Sequence, residues 1–478
     1  MVGIVGYGTY LPRYRIRVEE IAKVWGSRGR GEKSVNATDE DAITMAVEAG
    51  LNAIQCSGID PSTGIDAIYL ATDSSPYIEQ SPTGRIKEVL GMGAEVDIAD
   101  FMASPRASIA ALKASVDAIE TKRVKNSLIL GADCRPAEPG SDLELTFGVG
   151  AGALVLGTDG IMAEVEDIYT YSTAFVDRWR GRQDDFVRSY DYRFTREYGY
   201  VNHVVSAVNG LLKKMGATIE QFQHVVLQEP DGRVPREAAA ELGIKKEQIS
   251  GSIFGEVGDT GASSVLIGLA AVLERAKPGE RILAVSYGSG TSDALSFVVL
   301  DEIDKNRGRR PSLECYLKNK EYIDYPKYMR FTGFLRQSGE ELRLPVPPTS
   351  PYMMRGSAEL YTLMGAKCTR CGFINFPPSM RKICVRCGGT ELEQVRVSKR
   401  GRVYTYCINY YMPPPLEAPL PLIFADLHDG PRYEAMGTEM RPEDVKIGME
   451  VELVLRRLTV ERGVSVYGYK FRPSRGID

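Results

Sequence analysis

The chain has few histidines, no long apolar run and no excess of positive charge. The histidines are limited to His203, His224 and His428, so a mechanism that needs an imidazole has few candidates. No apolar run approaches the roughly 18 residues that a membrane helix requires. The net charge of −4 argues against a nucleic-acid groove built on bulk positive charge. We therefore expect neither a membrane nor a nucleic acid as partner.

The cysteines do not form the pattern of a disulfide framework. Four of the eight crowd into twenty residues, and the other four are scattered along the chain. One metal site in a reducing compartment explains this distribution better than paired cystines do. The first residues lack the basic and apolar regions of a signal peptide. These observations together predict a cytoplasmic protein.

The first 305 residues alternate strand-like and helix-like segments, which predicts an α/β fold. Residues 3–8 and 66–71 are short apolar runs that end in turn residues, and residues 40–56 have apolar residues at helical spacing. The order helix, strand, Gly-rich loop, strand occurs once at 109–157 and again at 265–300. This repeat predicts two similar βαβαβ-type halves, at residues 1–160 and 161–335, as in a thiolase fold.

The C-terminal part has a different character. Residues 303–350 are rich in Lys, Arg, Tyr and Pro and end in PVPP at 345–348, which predicts a closing helix and a linker. We place the linker and a short helix at 336–365. Beyond residue 395 strand-like segments predict a small β-barrel.

Four cysteines with regular spacing form the strongest motif. Two CxxC pairs are separated by twelve residues, and they comprise Cys368, Cys371, Cys384 and Cys387. Two such pairs converge on one ion and provide four thiolates in a tetrahedron, which suits Zn²⁺. Gly372 and Gly388–Gly389 follow the pairs, where the backbone must turn tightly. With four thiolates and no histidine, the site is predicted to be structural.

The region around these cysteines resembles the DUF35 family, a zinc ribbon followed by an OB-fold. The likeness rests on CGFINFPP at 371–378, DVKIGMEV at 444–451 and FRP at 471–473. We place the zinc ribbon at 366–392 and the OB-fold at 393–478. The resemblance implies a protein that accompanies thiolase-like enzymes and helps to bind the CoA end of their substrates. OB-folds also bind nucleic acids, which is the rival interpretation.

Residues 1–335 resemble archaeal-type hydroxymethylglutaryl-CoA synthases of the thiolase superfamily. The likeness lies in Asp-Ser-Ser-Pro-Tyr at 73–77, GAD at 131–133, PGSDLE at 139–144, EPDGR at 229–233, GSGTSD at 288–293 and YIDY at 322–325. It implies a substrate that is a coenzyme A thioester. It also implies a homodimer or larger homo-oligomer, with a separate thiolase-like protein as a further possible partner.

The catalytic residues of that family are replaced in this chain. The family uses a Cys nucleophile, a Glu acid/base and a His, and an ungapped comparison places Pro105, Asp73 and Gln228 at these positions. Its Asn after the Gly turn falls on Asp259, and Ser104 precedes the Cys position. Proline has no nucleophile, so the Cys acyl-enzyme of the family cannot form here.

Each replacement allows a chemical role and a structural one. Asp73 could act as a general base or only form a turn. Gln228 could donate a hydrogen bond to a thioester oxygen. Asp231 and Asp259 add carboxylates that could raise one another's pKa, although each alone is a common turn residue. We name Asp73, Ser104, Gln228, Asp231 and Asp259 as candidate catalytic residues.

Two side chains, Ser104 and Cys134, are candidates for a nucleophile at a position other than that of the family. Ser104 followed by Pro105 is a preferred helix start, with Ser as N-cap and Pro at the first helical position, and a Ser nucleophile would need an adjacent base. Cys134, in a loop after a strand, is another candidate. His203 lies in a helix-like stretch, where a packed or surface role is the usual one.

Three functions remain open. The first is an enzyme that makes or breaks a C–C bond in an acyl-CoA by aldol or retro-aldol chemistry. The second is an acyltransferase or thiolase that keeps a covalent step at Ser104 or Cys134. The third is a non-catalytic subunit that binds CoA and a thiolase. We favour the first, because it needs only a base, an oxyanion hole and a surface that positions CoA.

Overall fold

The computed structural model describes residues 1–336, 338–339, 356–357, 359–378, 381–414 and 416–475. The chain divides into two compact units. The first contains Met1–Ala37, Asp41–Lys87 and Met92–Thr332, and the second contains Thr38–Glu40, Glu88–Gly91 and Gly333–Asp478.

The first unit is built on one mixed nine-stranded sheet, as the alternating sequence pattern predicts. Its strands and those of two small sheets are β1 Gly3–Tyr10, β2 Tyr14–Arg17, β3 Glu32–Val35, β4 Ala67–Ala71, β5 Asp97–Phe101, β6 Ser127–Asp133, β7 Gly150–Gly157, β8 Ala163–Ser172, β9 Arg178–Trp179, β10 Arg188–Ser189, β11 His224–Leu227, β12 Arg281–Gly288, β13 Thr291–Val299 and β14 Glu321–Tyr322. The order in the large sheet is β11-β12-β13-β8-β1-β7-β6-β4-β5. The pairs β11–β12, β6–β4 and β4–β5 are parallel, and the other pairs are antiparallel.

Helices accompany the strands of the first unit, and several of them pack on the large sheet. They are α1 Val18–Trp25, α2 Ala42–Ser57, α3 Pro61–Gly64, α4 Thr83–Leu90, α5 Ala107–Glu120, α6 Asp142–Thr146, α7 Tyr192–Phe194, α8 Asn202–Met215, α9 Val234–Glu241, α10 Phe254–Val257, α11 Ser264–Leu273, α12 Ile303–Asn306, α13 Leu313–Lys318 and α14 Tyr325–Phe331. A π-helical turn, Thr195–Val201, leads into α8. Strands β1, β6 and β7 are buried along their whole length, which explains their continuous apolar runs.

Glycines allow α2 to pack directly on β1. A Cβ atom at Gly6 would lie 2.5 Å from the carbonyl oxygen of Ala53 and 2.7 Å from Cβ of Ser57. The helix begins with a capping box, in which Asp41 accepts from the amide of Thr44 at 3.0 Å. Close backbone approach and a strong cap together fix the helix against the sheet.

The predicted closing helix after residue 303 is wrong in detail. Three short helices, α12 to α14, replace it, and β14 between them pairs with β2. Gly308, with φ +92°, and the two prolines at 311 and 326 explain the interruptions. In the predicted linker and helix at 336–365, residues 337, 340–355 and 358, which include the PVPP segment, lie outside the described residues.

The second unit contains two small sheets. Its strands are β15 Met364–Cys368, β16 Ile374–Asn375, β17 Leu392–Arg396, β18 Arg400–Asn409, β19 Leu420–Leu427, β20 Arg432–Met436, β21 Glu450–Glu461 and β22 Val464–Pro473. The first three form the sheet β16-β15-β17, and the rest form β20-β19-β18-β21-β22. A bridge between Gly437 and Phe471 brings the end of β20 to β22 and closes the second sheet into a barrel.

The β-barrel predicted beyond residue 395 is thus confirmed, although the sequence pattern did not reveal β20. Within the described residues, no helix combines the length and apolar character that a membrane span requires. The boundary predicted at residue 160 between two halves stays a prediction.

Replacing Gly6 with Ala should lower the free energy of unfolding by about 1–3 kcal/mol, because α2 must move away from β1 to admit the methyl group. Thermal melting of the purified variant measures the effect. Gly255→Ala is the matched control, since a Cβ atom there meets nothing within 4 Å. Equal melting temperatures for the two variants would contradict the close approach.

Candidate active site and metal centre

The four cysteines of the CxxC pairs converge as a zinc site requires. Their sulfur atoms all lie within 4.8 Å of one another. The Cys368–Cys387 and Cys371–Cys384 sulfurs are both 3.6 Å apart. A tetrahedral site with Zn–S bonds of about 2.3 Å separates its sulfurs by about 3.8 Å. The predicted structural zinc site is therefore confirmed in its geometry.

The two cysteine knuckles have matching backbone hydrogen bonds. The amide of Gly372 donates to the carbonyl oxygen of Cys368 at 2.8 Å, and the amide of Gly388 donates to the carbonyl oxygen of Cys384 at 2.9 Å. Both glycines have positive φ, as the predicted tight turns require. The buried Asn375 accepts from the amide of Val385 at 3.0 Å and thereby ties the knuckles together. Zinc would hold the small ribbon, in which few apolar residues are buried, in its fold.

A cavity of about 650 Å³ lies in the first unit. Four of the five candidate residues, Asp73, Gln228, Asp231 and Asp259, line it. Ser104 does not line it, although its neighbours Ala103 and Pro105 do. The cavity has the size of a small-molecule site.

The buried Asp133 holds two loops at this cavity. One of its carboxylate oxygens accepts from the amide of Asp73 at 2.7 Å and from the hydroxyls of Thr72 and Ser74 at 3.1 and 2.8 Å. The other accepts from the amide of Ala262 at 2.7 Å. The loop after β4 is thus tied to the segment before α11, which brings Asp73 and Asp259 to one cavity.

Asp73 titrates near neutral pH. Burial raises its pKa to about 7, and the negative charge of the adjacent Asp133 contributes further. Its Oδ1 atom is buried and has no hydrogen-bond partner within the described structure. Asp73 can therefore both accept and release a proton at the pH at which enzymes work.

Asp259 is held in its ionised form. Arg135 lies 2.8 Å and Arg178 3.2 Å from its carboxylate, and the amide of Gly261 donates to it at 2.9 Å. The two guanidinium groups outweigh the effect of burial and lower the pKa of Asp259. The expectation that neighbouring carboxylates would raise the pKa is wrong for this residue. Its charge neutralises the buried Arg135 and the half-buried Arg178.

The predicted helix start at Ser104 and Pro105 is wrong. Helix α5 begins at Ala107, and the preceding residues form a turn in which the amide of Ala107 donates to the carbonyl of Ser104 at 2.9 Å. Proline at the second position of a turn fixes φ favourably. Ala103 before it has φ +70°, a strained value for a residue with a side chain. The hydroxyl of Ser104 accepts only weakly from the amide of Arg106, at 3.4 Å.

Gln228 and Asp231 are both engaged by the backbone. The Gln228 side chain accepts from the amide of Tyr287 at 3.2 Å and donates to the carbonyls of Pro105 and Gly261 at 3.4 and 3.5 Å. These two long bonds leave its amide group able to turn towards a ligand. Asp231 accepts from the amides of residues 233 and 234, at 2.6 and 2.8 Å, and so has the predicted turn role. Its catalytic role stays a prediction.

Several residues of the site were not predicted from the sequence. Arg135 and Arg178 line the cavity beside the candidate carboxylates, and Thr173 lines it in front of the buried His203. The position of Arg135, two residues after the GAD motif, is a signal that could have indicated it. Cys134 does not belong to the described lining residues.

Family models match three parts of the chain. Residues 212–298 match the C-terminal domain of 3-oxoacyl-[acyl-carrier-protein] synthase III. Residues 355–393 match the rubredoxin-like zinc ribbon domain of ChsH2, and residues 394–456 match its C-terminal OB-fold domain. The DUF35-like resemblance of the C-terminal part corresponds to these two ChsH2 domains.

Curated relatives match about 70% of the chain. Hydroxymethylglutaryl-CoA synthase of Methanosarcina mazei is 39% identical over 347 residues, which is 70% of this chain and 99% of the relative. The synthase of Methanopyrus kandleri is 40% identical over 345 residues, which is 70% of this chain and 98% of the relative.

Two solved structures show the same thiolase-type fold. MvaS in complex with 3-hydroxy-3-methylglutaryl coenzyme A aligns with a TM-score of 0.63 at 17% identity, covering 72% of this chain and 94% of MvaS. The 3-oxoacyl-[acyl-carrier-protein] synthase III of Aquifex aeolicus aligns with a TM-score of 0.57 at 22% identity, covering 62% of this chain and all of the other. The predicted fold class, a thiolase fold with a zinc ribbon and an OB-fold, is confirmed.

The purified chain should contain one zinc ion per molecule, and Cys384→Ser should abolish it, because three thiolates no longer complete the tetrahedron. Elemental analysis by mass spectrometry measures the stoichiometry. Cys407→Ser, at an exposed cysteine outside the cluster, should keep the metal. Retention of a full zinc equivalent by Cys384→Ser would refute the assignment.

Asp73→Asn and Asp259→Asn should change stability in opposite directions. The pKa of Asp73 is higher in the folded chain than its ordinary value of 3.8, so its ionisation opposes folding. The resulting loss in the free energy of unfolding is absent below pH 3.8, grows up to about pH 7 and reaches its full value above it. Asp73→Asn should therefore be more stable than the unmodified protein at pH 8, by at least about 1 kcal/mol, and the gain should shrink towards pH 4.

Asp259→Asn is the control, because we expect it to lower the stability that Asp73→Asn raises. The lowered pKa of Asp259 stabilises the folded chain above its ordinary value of 3.8, and this stabilisation is lost as the pH falls below it. The Asn variant should be less stable at pH 8, because the buried Arg135 loses the carboxylate with which it forms an ion pair at 2.8 Å. Urea unfolding at pH 5 and pH 8 measures both. A destabilised Asp73→Asn at pH 8 would contradict the raised pKa.

Proposed function

Because the chain belongs to the hydroxymethylglutaryl-CoA synthase family, we propose that it makes or breaks a C–C bond in an acyl-CoA substrate without a Cys acyl-enzyme. The reaction is of the aldol or retro-aldol type. The proposal rests above all on Asp73, a cavity-lining carboxyl group whose pKa burial raises to about 7 and whose Oδ1 atom has no hydrogen-bond partner among the described residues.

Aldol chemistry fits the groups that line the cavity. In the bond-forming direction, ionised Asp73 removes the α-proton of the thioester, and the resulting enolate attacks the carbonyl carbon of a second substrate. The carbonyl oxygen takes up a proton and becomes a hydroxyl group. Cleavage is the reverse, with protonated Asp73 returning its proton to the α-carbon. No step transfers an acyl group to the protein.

Donors at the cavity can stabilise the negative charge of the enolate. The amide group of Gln228 donates only through two long bonds, and the guanidinium groups of Arg135 and Arg196 belong to side chains that line the same cavity. Donors that are already fixed in place stabilise an oxyanion without reorganising first. Gln228 therefore takes the place of an imidazole as a donor, but it cannot move a proton.

A covalent route has less support. Pro105 offers no nucleophile, and no described hydrogen bond joins the hydroxyl of Ser104 to a base, since this hydroxyl accepts from the amide of Arg106 and Asp73 interacts with the backbone amide of Ser104 instead. Activation of a Ser hydroxyl requires such a base. Cys134 lies outside the lining of the cavity.

We also propose a homodimer or larger homo-oligomer. Strand β5 lies at the edge of the nine-stranded sheet, where its free backbone groups can pair with another chain. Light scattering of the purified protein gives the assembly mass directly.

The reaction is tested with a panel of acyl-CoA and 3-hydroxyacyl-CoA esters, including 3-hydroxy-3-methylglutaryl-CoA, by chromatography of the CoA products and intact-protein mass. We expect a cleaved or condensed ester and no mass gain on the protein. Asp73→Asn should lower kcat by about 100-fold or more, because it removes the group that transfers the α-proton.

Asp159→Asn, at an exposed ion pair with Lys125, is the control and should leave kcat unchanged. An acyl adduct mapped to Ser104 or Cys134 would refute the non-covalent mechanism. Absence of turnover with every ester would favour a CoA-binding subunit instead.

A further inference from the structure

A threonine hydroxyl and a buried histidine form a hydrogen-bonded pair at the wall of the cavity. Thr173 lines the cavity, and its Oγ1 lies 2.8 Å from Nε2 of His203. His203 is only 1% exposed, so it reaches the cavity only through this hydroxyl. Neither residue belongs to the sequence motifs on which the family resemblance was recognised.

The hydrogen bonds of His203 determine which ring nitrogen has the proton. Nδ1 faces the carbonyl oxygen of Gly199 at 2.6 Å. A carbonyl can only accept, so Nδ1 must hold a hydrogen. In the neutral ring Nε2 is then an acceptor, and Thr173 must donate its hydroxyl proton to it.

The hydroxyl of Thr173 keeps capacity for a ligand. It donates to His203 and accepts from the amide of Phe175 at 3.3 Å. A hydroxyl has one donor and two acceptor positions, so one acceptor position remains. Because Thr173 is exposed to the cavity, that position can accept a hydrogen bond from a substrate hydroxyl.

Aromatic rings and a glycine pack around the imidazole of His203 and hold it beside Thr173. The rings of Tyr171, Phe175 and Tyr287 lie 5.4, 6.1 and 5.6 Å from the imidazole, centre to centre. Gly199 belongs to the π-helical turn before α8, and such turns recur at functional sites. A Cβ atom at Gly199 would lie 2.8 Å from the hydroxyl of Tyr287, so this packing requires glycine.

The other histidines have different environments. His224 is 2.8 Å from Glu280 and 3.0 Å from Ser250, and His428 is 3.0 Å from Glu450 on the surface. Neither belongs to the described cavity lining. His203 is therefore the imidazole that the fold places beside the candidate site.

We propose that Thr173 contacts the hydroxyl group of a 3-hydroxyacyl thioester and relays its proton to His203. This rests on the proposed function and supplies the second proton-transfer group that the reaction requires. Thr173 is the catalytic residue of the pair, and His203 acts through it as a positioning residue.

The proton balance of the cleavage direction is complete. The substrate hydroxyl gives its proton to Oγ1 of Thr173, which gives its own proton to Nε2 of His203. The C2–C3 bond breaks, its electron pair forms the thioester enolate, and C3 becomes a carbonyl. Protonated Asp73 then gives a proton to C2. Water returns a proton from His203 to Asp73, so no oxidant or further reactant is needed.

Turnover of single and double variants tests the relay. Thr173→Val and His203→Gln should each lower kcat by about 100-fold while the dissociation constant for the ester stays nearly unchanged. Thr173→Ser should restore most of the turnover, because it keeps the hydroxyl. The double variant should lose no more than either single one, since both act in one step.

Thr121→Val and His224→Gln are matched controls, because neither residue lines the cavity, and both should keep full turnover. Full turnover by Thr173→Val, or an additive loss in the double variant, would overturn the relay. An acyl adduct on Thr173 would overturn it too, because the hydroxyl would then be a nucleophile.

A measurement that needs no turnover separates this inference from the proposed reaction. In protein labelled with ¹⁵N-histidine, 3-hydroxy-3-methylglutaryl-CoA should shift the Nε2 resonance of His203 but not those of His224 and His428. The shift should persist in Thr173→Ser and vanish in Thr173→Val. An unshifted His203 resonance with bound ester overturns the relay. A shifted one without turnover supports the contact and refutes only the proposed reaction.

Discussion

The site depends on a buried carboxylate that is not itself catalytic. Asp133 accepts hydrogen bonds from the loop after β4 and from the segment before α11, and these bonds fix two loops that are far apart in sequence. Its negative charge also opposes ionisation of the neighbouring Asp73. One residue therefore determines where Asp73 lies and helps to raise its pKa to about 7.

The surroundings of the two cavity carboxylates give them different chemistry. Asp73 is buried beside another acid and can hold a proton, whereas Asp259 is bracketed by Arg135 and Arg178 and stays ionised. Two aspartates whose pKa values are shifted in opposite directions can take different roles, although they are the same type of residue. Asp259 accordingly fixes the arginines in position, and Asp73 is left to exchange protons.

Features that depend on residues close together in the sequence were predicted correctly. The cysteine spacing predicted the zinc site, and the burial of β1, β6 and β7 followed from their apolar runs. Comparison with the family predicted four residues that do line the cavity. The start of α5 was mispredicted, because Ser-Pro suits a turn as well as a helix start.

The pairing of Thr173 with His203 joins residues thirty positions apart on a strand end and a helix, which no local pattern predicts. These long-range contacts decide the chemistry of the site. The sequence comparison expects Pro105 at the position of the family's nucleophile, and the carbonyl of Pro105 accepts from Gln228, a side chain that cannot transfer protons. The Gln228 amide beside the turn at Pro105 can still stabilise an enolate. The groups that transfer protons must then be other side chains of the cavity. In the proposed reaction, Asp73 on one loop and the Thr173–His203 pair beyond β8 supply these groups, so the expected loss of the family's nucleophile and histidine changes the reaction that we propose without excluding catalysis.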